Sequence, residues 1–124
     1  MTSEELVLRA EVAAANAYAP YSSYRVGASV LTKDGSVFDG VNVENAAYPL
    51  GVCAERTAIS KAASEGVRPG DLEAIGITAS PCGGCRQWLY EWRFERVAFR
   101  REDGSIAEHT PASLLPDSWD LPGS

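Results

Sequence analysis

The chain is poor in cysteine and positive charge, and it lacks any long hydrophobic run. Three cysteines in 124 residues are too few, and of the wrong parity, for a disulfide framework, and they point to reduced thiols in a cytosol. No apolar run approaches the length needed to cross a bilayer. The opening "MTSEELVLRAEV" has no basic region followed by an apolar stretch, so no secretory signal is expected. Eleven lysines and arginines against seventeen acids leave a net charge of −6 and a pI near 4.7. Such an acidic body repels phosphate backbones and disfavours a polynucleotide partner. No internal repeat is present. With 45% hydrophobic and 23% charged residues, the composition suits a globular protein large enough for its own core. The expectation is one domain over residues 1–124, cytoplasmic and free of the membrane.

Local patterns divide that domain into alternating elements. Thr2 and Glu5 form a capping-box pair, opening a helix in which Leu6, Ala10, Ala13 and Ala17 recur at helical spacing until Pro20. "YRVGASVL" and "SVFDGVNV" read as strands joined at Asp34-Gly35, a hairpin signal. "CAERTAISKAASEG" reads as a helix with Gly66 just past its end. "LEAIGITA" is strand-like, and "CGGCRQWLYEW" is helical. "RVAFRRE" and "SIAEHT" form a second hairpin around Asp103-Gly104, "PASLL" a last helical turn, and "DLPGS" a loose tail. Strands alternating with helices predict an α/β fold with a sheet covered on both faces.

The cysteines carry the chemistry. Cys82 and Cys85, in "PCGGCRQ", share a face if both lie on a helix, with Pro81 suited to its first position. By itself this C-x-x-C pattern fits a redox dithiol or a pair of buried thiols equally well. A redox pair, however, gives no role to Cys53, which also stands at a predicted helix start with Glu55 two positions on. Three thiolates at two helix N-termini make three zinc ligands with a fourth position open, which is the catalytic pattern rather than the closed structural one. The lone His109, in the second hairpin, reads as solvated. Zinc with three thiolates carries a net negative charge, which Arg56 is placed to offset, together with the helix dipoles; Arg86 is a second candidate. Glu55 lies off the ligand face and reads as a proton carrier rather than a ligand.

Cys53-Ala-Glu55 followed by Pro81-Cys82-Gly-Gly-Cys85 resembles the zinc deaminase signature in its three-cysteine form. "PYSSYRVGA", "GVNVENAAYPLGVCAER", "PCGGCRQ" and "LLPDSW" together resemble the cytidine deaminase family, in its small homotetrameric branch. The resemblance spans nearly the whole chain. It implies a three-layer α/β/α sandwich with a five-stranded mixed sheet, one zinc ion per subunit, and a homotetramer with active sites at subunit boundaries. It implies a small nucleoside substrate, deaminated hydrolytically to uridine or deoxyuridine. It also implies that Asn42 and Glu44 hold the ribose and that Tyr24 lines the base pocket. The backbone near Ala54 and Ser80 would contact the pyrimidine edge, while Tyr48 and Trp119 would serve a shared subunit boundary. Two departures stand out: the connector before Pro81 is short, and the end of the chain is trimmed. The rival readings are a deaminase of a modified nucleoside or of an antibiotic such as blasticidin S, a non-catalytic zinc module, and a thiol oxidoreductase. Polynucleotide editing would need basic, aromatic surfaces that this acidic chain lacks.

Overall fold

A computed structural model describes residues 1–120; of the expected tail, residues 121–124 lie outside them. Five strands form one mixed sheet: β1 (Gly27–Thr32), β2 (Val37–Val41), β3 (Leu72–Ile77), β4 (Arg96–Arg100) and β5 (Ile106–His109). Their order is β2-β1-β3-β4-β5. The β3/β4 pair is parallel and the other three are antiparallel, as the resemblance implies. The helices are α1 (Ser3–Ala13), α2 (Ala54–Ser64), α3 (Gly83–Glu91) and the short α4 (Pro111–Leu114).

Strand alternation sends side chains to two cores. Leu31 and Ala74 face α1, which contributes Leu6. Ala28, Val30, Ile75, Ile77, Val97 and Phe99 face the other way, onto Ala58 and Ile59 of α2, Leu89 of α3 and Leu114 of α4. Burying each large aliphatic side chain is worth about 1.5–3 kcal/mol, so α2 and α3 are held to the sheet by their inward stripes. The result is three layers, α1 below the sheet and α2, α3 and α4 above it.

Three local expectations are corrected. The first helix does not run to Pro20: it ends at Ala13, tightens into a 3₁₀ turn over Ala14–Asn16, and Ala17 is extended. Tyr18 is captured by a distant segment, its N–H donating to the Asn42 carbonyl (3.0 Å) and its carbonyl accepting from Glu44 N–H (2.9 Å), which overrides alanine's helix propensity. In the second correction, Pro81 is not the first helical residue, because Cys82 is the N-cap of α3 and Gly83 opens the helix. His109 is also not simply solvated, since its ring stacks on Phe99 at 5.8 Å and 10°.

Candidate functional site

The amino ends of α2 and α3 meet at one end of the sheet. The register pairs Val41 at the end of β2 with Gly27 at the start of β1, and Ala28 with Ile77 at the end of β3. The segments leading to both helices therefore leave from the same edge, the place where open α/β sheets bind ligands. Cys53 is the N-cap of α2 and Cys82 that of α3, while Cys85 lies buried one turn into α3.

The three sulfurs lie within 4.8 Å of one another, with Cys53 Sγ and Cys82 Sγ 3.9 Å apart. Zinc–sulfur bonds of about 2.3 Å in a tetrahedron put sulfurs about 3.8 Å apart, so the cluster is suited to one zinc ion. The electrostatics agree. Cys85 N–H donates to Cys82 Sγ at 3.4 Å. The Cys85 thiol, hydrogen-bonded to Cys53, helps hold the Cys53 thiol down to about 6, against burial and with Cys82 and Arg56 assisting. The same bond, with burial, pushes Cys85 up.

Arg56 completes the neighbourhood. Its Nε is buried and has no hydrogen-bond partner among the described residues, and Cys85, Cys53 and Cys82 all act on its charge. An ideal Cβ on Gly84 would stand 2.2 Å from Arg56 Nη2, so the guanidinium lies over the bare Cys82–Cys85 turn. A guanidinium with a buried, unpaired Nε set against three thiols fits a metal held with excess negative charge. Glu55 is only 4% exposed. Burial pushes its carboxyl above the ordinary range, opposed by its own backbone amide; Cys53 pushes it further, whereas Cys85 and Arg56 pull it back.

The sugar-side candidates sit together nearby. The chain past β2 stays extended through isolated bridges of Val43 with Tyr18 and Val52, so Asn42 and Glu44 point toward the same loop. Asn42 Oδ1 accepts from Val26 N–H and its Nδ2 donates to the Tyr24 carbonyl, both at 2.8 Å. Glu44 Oε1 accepts from the Tyr21 and Ser22 amides at 3.0 and 3.1 Å, and Oε2 from the Ser22 hydroxyl. The Ser22 hydroxyl, followed by the two amides, holds the Glu44 carboxyl below its usual range. Glu44, Tyr21, Ser22, Asn45, Tyr48 and Gly51 line a cavity of about 310 Å³. Ala54 is fully buried at the start of α2, and Tyr24, Tyr48 and Trp119 stand exposed on the surface.

Two residues were missed or misread from sequence. Arg86 directs its guanidinium not at the sulfurs but at the Pro81 carbonyl, the Ser80 hydroxyl and the Leu114 carbonyl. Ser22 organises Glu44; the only signal was its place in the dense turn "PYSSY".

Comparison with known proteins agrees with this arrangement. The family model for the cytidine and deoxycytidylate deaminase zinc-binding region matches residues 1–101. A cytidine deaminase of Halalkalibacterium halodurans is 44% identical, with 96% of this chain and 95% of the relative covered. That of Sporosarcina psychrophila is 41% identical, covering 96% and 92%. The crystal structure of cytidine deaminase from Burkholderia pseudomallei superposes with a TM-score of 0.89 at 41% identity, covering 96% of this chain and 100% of that one.

Proposed function

The chain belongs to the family of zinc-binding cytidine and deoxycytidylate deaminases, and from that premise we propose that it hydrolyses cytidine and 2′-deoxycytidine to uridine and 2′-deoxyuridine, releasing ammonia. The observation that carries this reading is the convergence of three sulfurs within 4.8 Å beside a buried carboxylate whose pKa is raised.

Cys53, Cys82 and Cys85 would hold the zinc ion. A bound zinc ion supplies Lewis acidity, which makes water a competent nucleophile at neutral pH. Glu55 takes a proton from the attacking water and delivers it to N3 of the base as oxygen adds at C4. It then takes the proton of the hydroxyl now on C4 and passes it to the amino group, the C4–N bond breaks, and ammonia leaves a carbonyl behind. Burial suits Glu55 to this exchange, because a carboxyl with a raised pKa can both accept and return a proton near neutrality. Arg56 offsets thiolate charge. Asn42 and Glu44 receive the sugar, Glu44 as an acceptor fixed by Tyr21 and Ser22, and this remote binding orients the base. Tyr24 and the Ala54 backbone border the base.

The wider reading is a single-domain enzyme of pyrimidine salvage in the cytoplasm, active as a homotetramer with Tyr48 and Trp119 at shared boundaries. The association with partner subunits is supported by the exposure of Tyr48 (82%), Leu50 (67%) and Trp119 (67%), large rings and aliphatics that a partner subunit would cover.

The test is the ultraviolet absorbance of cytidine incubated with zinc-loaded protein, with Glu55→Gln as control. Wild type should consume the cytidine band, and the variant should lose at least about 10²-fold in rate. The variant should keep its zinc and unfold at a higher temperature at pH 7, because it removes a carboxylate that burial disfavours. Stable cytidine in the presence of zinc-loaded wild type would redirect the assignment to a modified nucleoside.

A further inference from the structure

Cys82 is exposed and stands outside its helix as the N-cap, so its position depends on the loop that delivers it. That loop is short: Thr78 to Pro81 join the end of β3 to Cys82. One side chain satisfies two acceptors within it and a third on α4. Arg86 Nε donates to the Pro81 carbonyl at 2.9 Å, Nη2 to the Ser80 hydroxyl at 3.1 Å, and Nη1 to the Leu114 carbonyl at 3.2 Å. Its own N–H donates to the Cys82 carbonyl at 2.9 Å. Leu114 ends α4 and is anchored in the main core. All three guanidinium contacts are to neutral oxygens, and these are spread so that a planar fork reaches them together.

We propose that Arg86 is a positioning residue of the metal centre: its guanidinium clamps the loop that presents Cys82 and ties it to the carboxyl end of α4. This assignment rests on the reading of Cys82 as a metal ligand. Arg86 acts through loop geometry rather than by offsetting charge, and α4 becomes part of the scaffold of the site. Lysine cannot replace it, because a single ammonium on a flexible stem cannot span acceptors on Ser80, Pro81 and Leu114.

The experiment measures zinc affinity by competition with a chromogenic chelator, in Arg86→Lys, Ser80→Ala and the double variant. Partners that orient a metal ligand typically change affinity 10–100-fold, so Arg86→Lys should weaken zinc binding by about that factor. Ser80→Ala removes one acceptor at an exposed position and should weaken binding about threefold. The double variant should lose less than the product, since both act on one clamp. Cobalt-substituted Arg86→Lys should show a shifted visible spectrum, which reports the coordination geometry directly. Unchanged zinc affinity in Arg86→Lys, with or without a lowered Tm, would overturn the proposal and leave Arg86 as ordinary packing. If Arg86→Lys does not fold, Ser80→Ala decides: weakened binding supports the clamp and unchanged binding overturns it. Wild-type zinc affinity in Cys82→Ser would overturn the ligand reading itself, and the clamp with it.

Discussion

Replacing Gly40 with alanine tests whether the fold sets the metal site. Gly40 lies on β2, where α2 packs directly against the strand. An ideal Cβ there would stand 2.3 Å from the Ala58 nitrogen, 2.7 Å from the Ala54 carbonyl oxygen and 2.8 Å from Ala58 Cα. These neighbours are helix backbone, so no rotamer change relieves the clash. Reaching ordinary contact, which begins at 3.4 Å, requires α2 or the edge strand to move by about 1 Å in a close-packed interior. Overpacking of this kind costs about 1–3 kcal/mol. At about 4 °C per kcal/mol for a chain of this length, the Tm should fall by about 4–12 °C. Cys53 and Glu55 ride on the displaced helix, whereas Cys82 and Cys85 belong to α3. Metal sites tolerate only about 0.2 Å in ligand distance, so zinc affinity should fall by about tenfold or more. Turnover should fall about 10²-fold, the usual effect of a 1 Å misplacement. The assays are thermal unfolding of metal-free and loaded protein, zinc competition, and nucleoside turnover. A Gly40→Ala protein with wild-type Tm and zinc affinity would refute the claim that this contact seats α2.

Two further outcomes follow from the electrostatics. Ser22→Ala should raise KM about 3–10-fold with kcat nearly unchanged. It should also shift the acid limb of KM upward in pH, because the Ser22 hydroxyl is what chiefly holds the Glu44 carboxyl down; Ser22→Thr should restore both. In metal-free protein, the folded Cys53 thiol lies near 6 against an ordinary 9.0. Between those values the unfolded chain binds more protons, so stability should rise with pH and be lost as pH falls through about 6. Cys85, pushed up, contributes fully below 9.0 and loses its contribution as pH rises above that. The Tm should therefore climb from pH 6 toward 9 in chelator, and Cys53→Ser should abolish the climb.

What could be read from the sequence was what is settled within a turn or two of chain. Asp34-Gly35 and Asp103-Gly104 each specify a hairpin locally, and both form. Thr2 and Glu5 form their capping box, and Gly66 takes the left-handed conformation (φ 95°) just past α2. The Cys53/Glu55 and Cys82/Cys85 spacings were equally local, and so the cluster was visible in advance. What escaped depended on distant partners. Nothing near Ala14 shows that Tyr18 will be captured by residues 42–44, and nothing near Arg86 shows that its third acceptor is a carbonyl 28 residues on.

Pro81 lies outside α3, which opens at Gly83 behind the N-cap Cys82. With Pro81 at the first helical position, Cys82 would follow inside the first turn of α3, its sulfur confined to that helix's own face. As an N-cap, Cys82 has extended backbone (φ −69°, ψ 168°), and Cys53 has nearly the same (φ −72°, ψ 154°). Cys53 makes no side-chain capping bond and Cys82 Sγ caps α3 by accepting from Cys85 N–H (3.4 Å), yet both sulfurs turn toward each other, so sulfurs from two helices come within 3.9 Å. Cys85, inside its helix, lies deeper and is fully buried. Two capping cysteines and one helical cysteine therefore form a triangle whose buried corner is fixed by packing and whose outer corners are fixed by loops. The loops are where neighbouring side chains can tune the site, and they are where Arg86 acts.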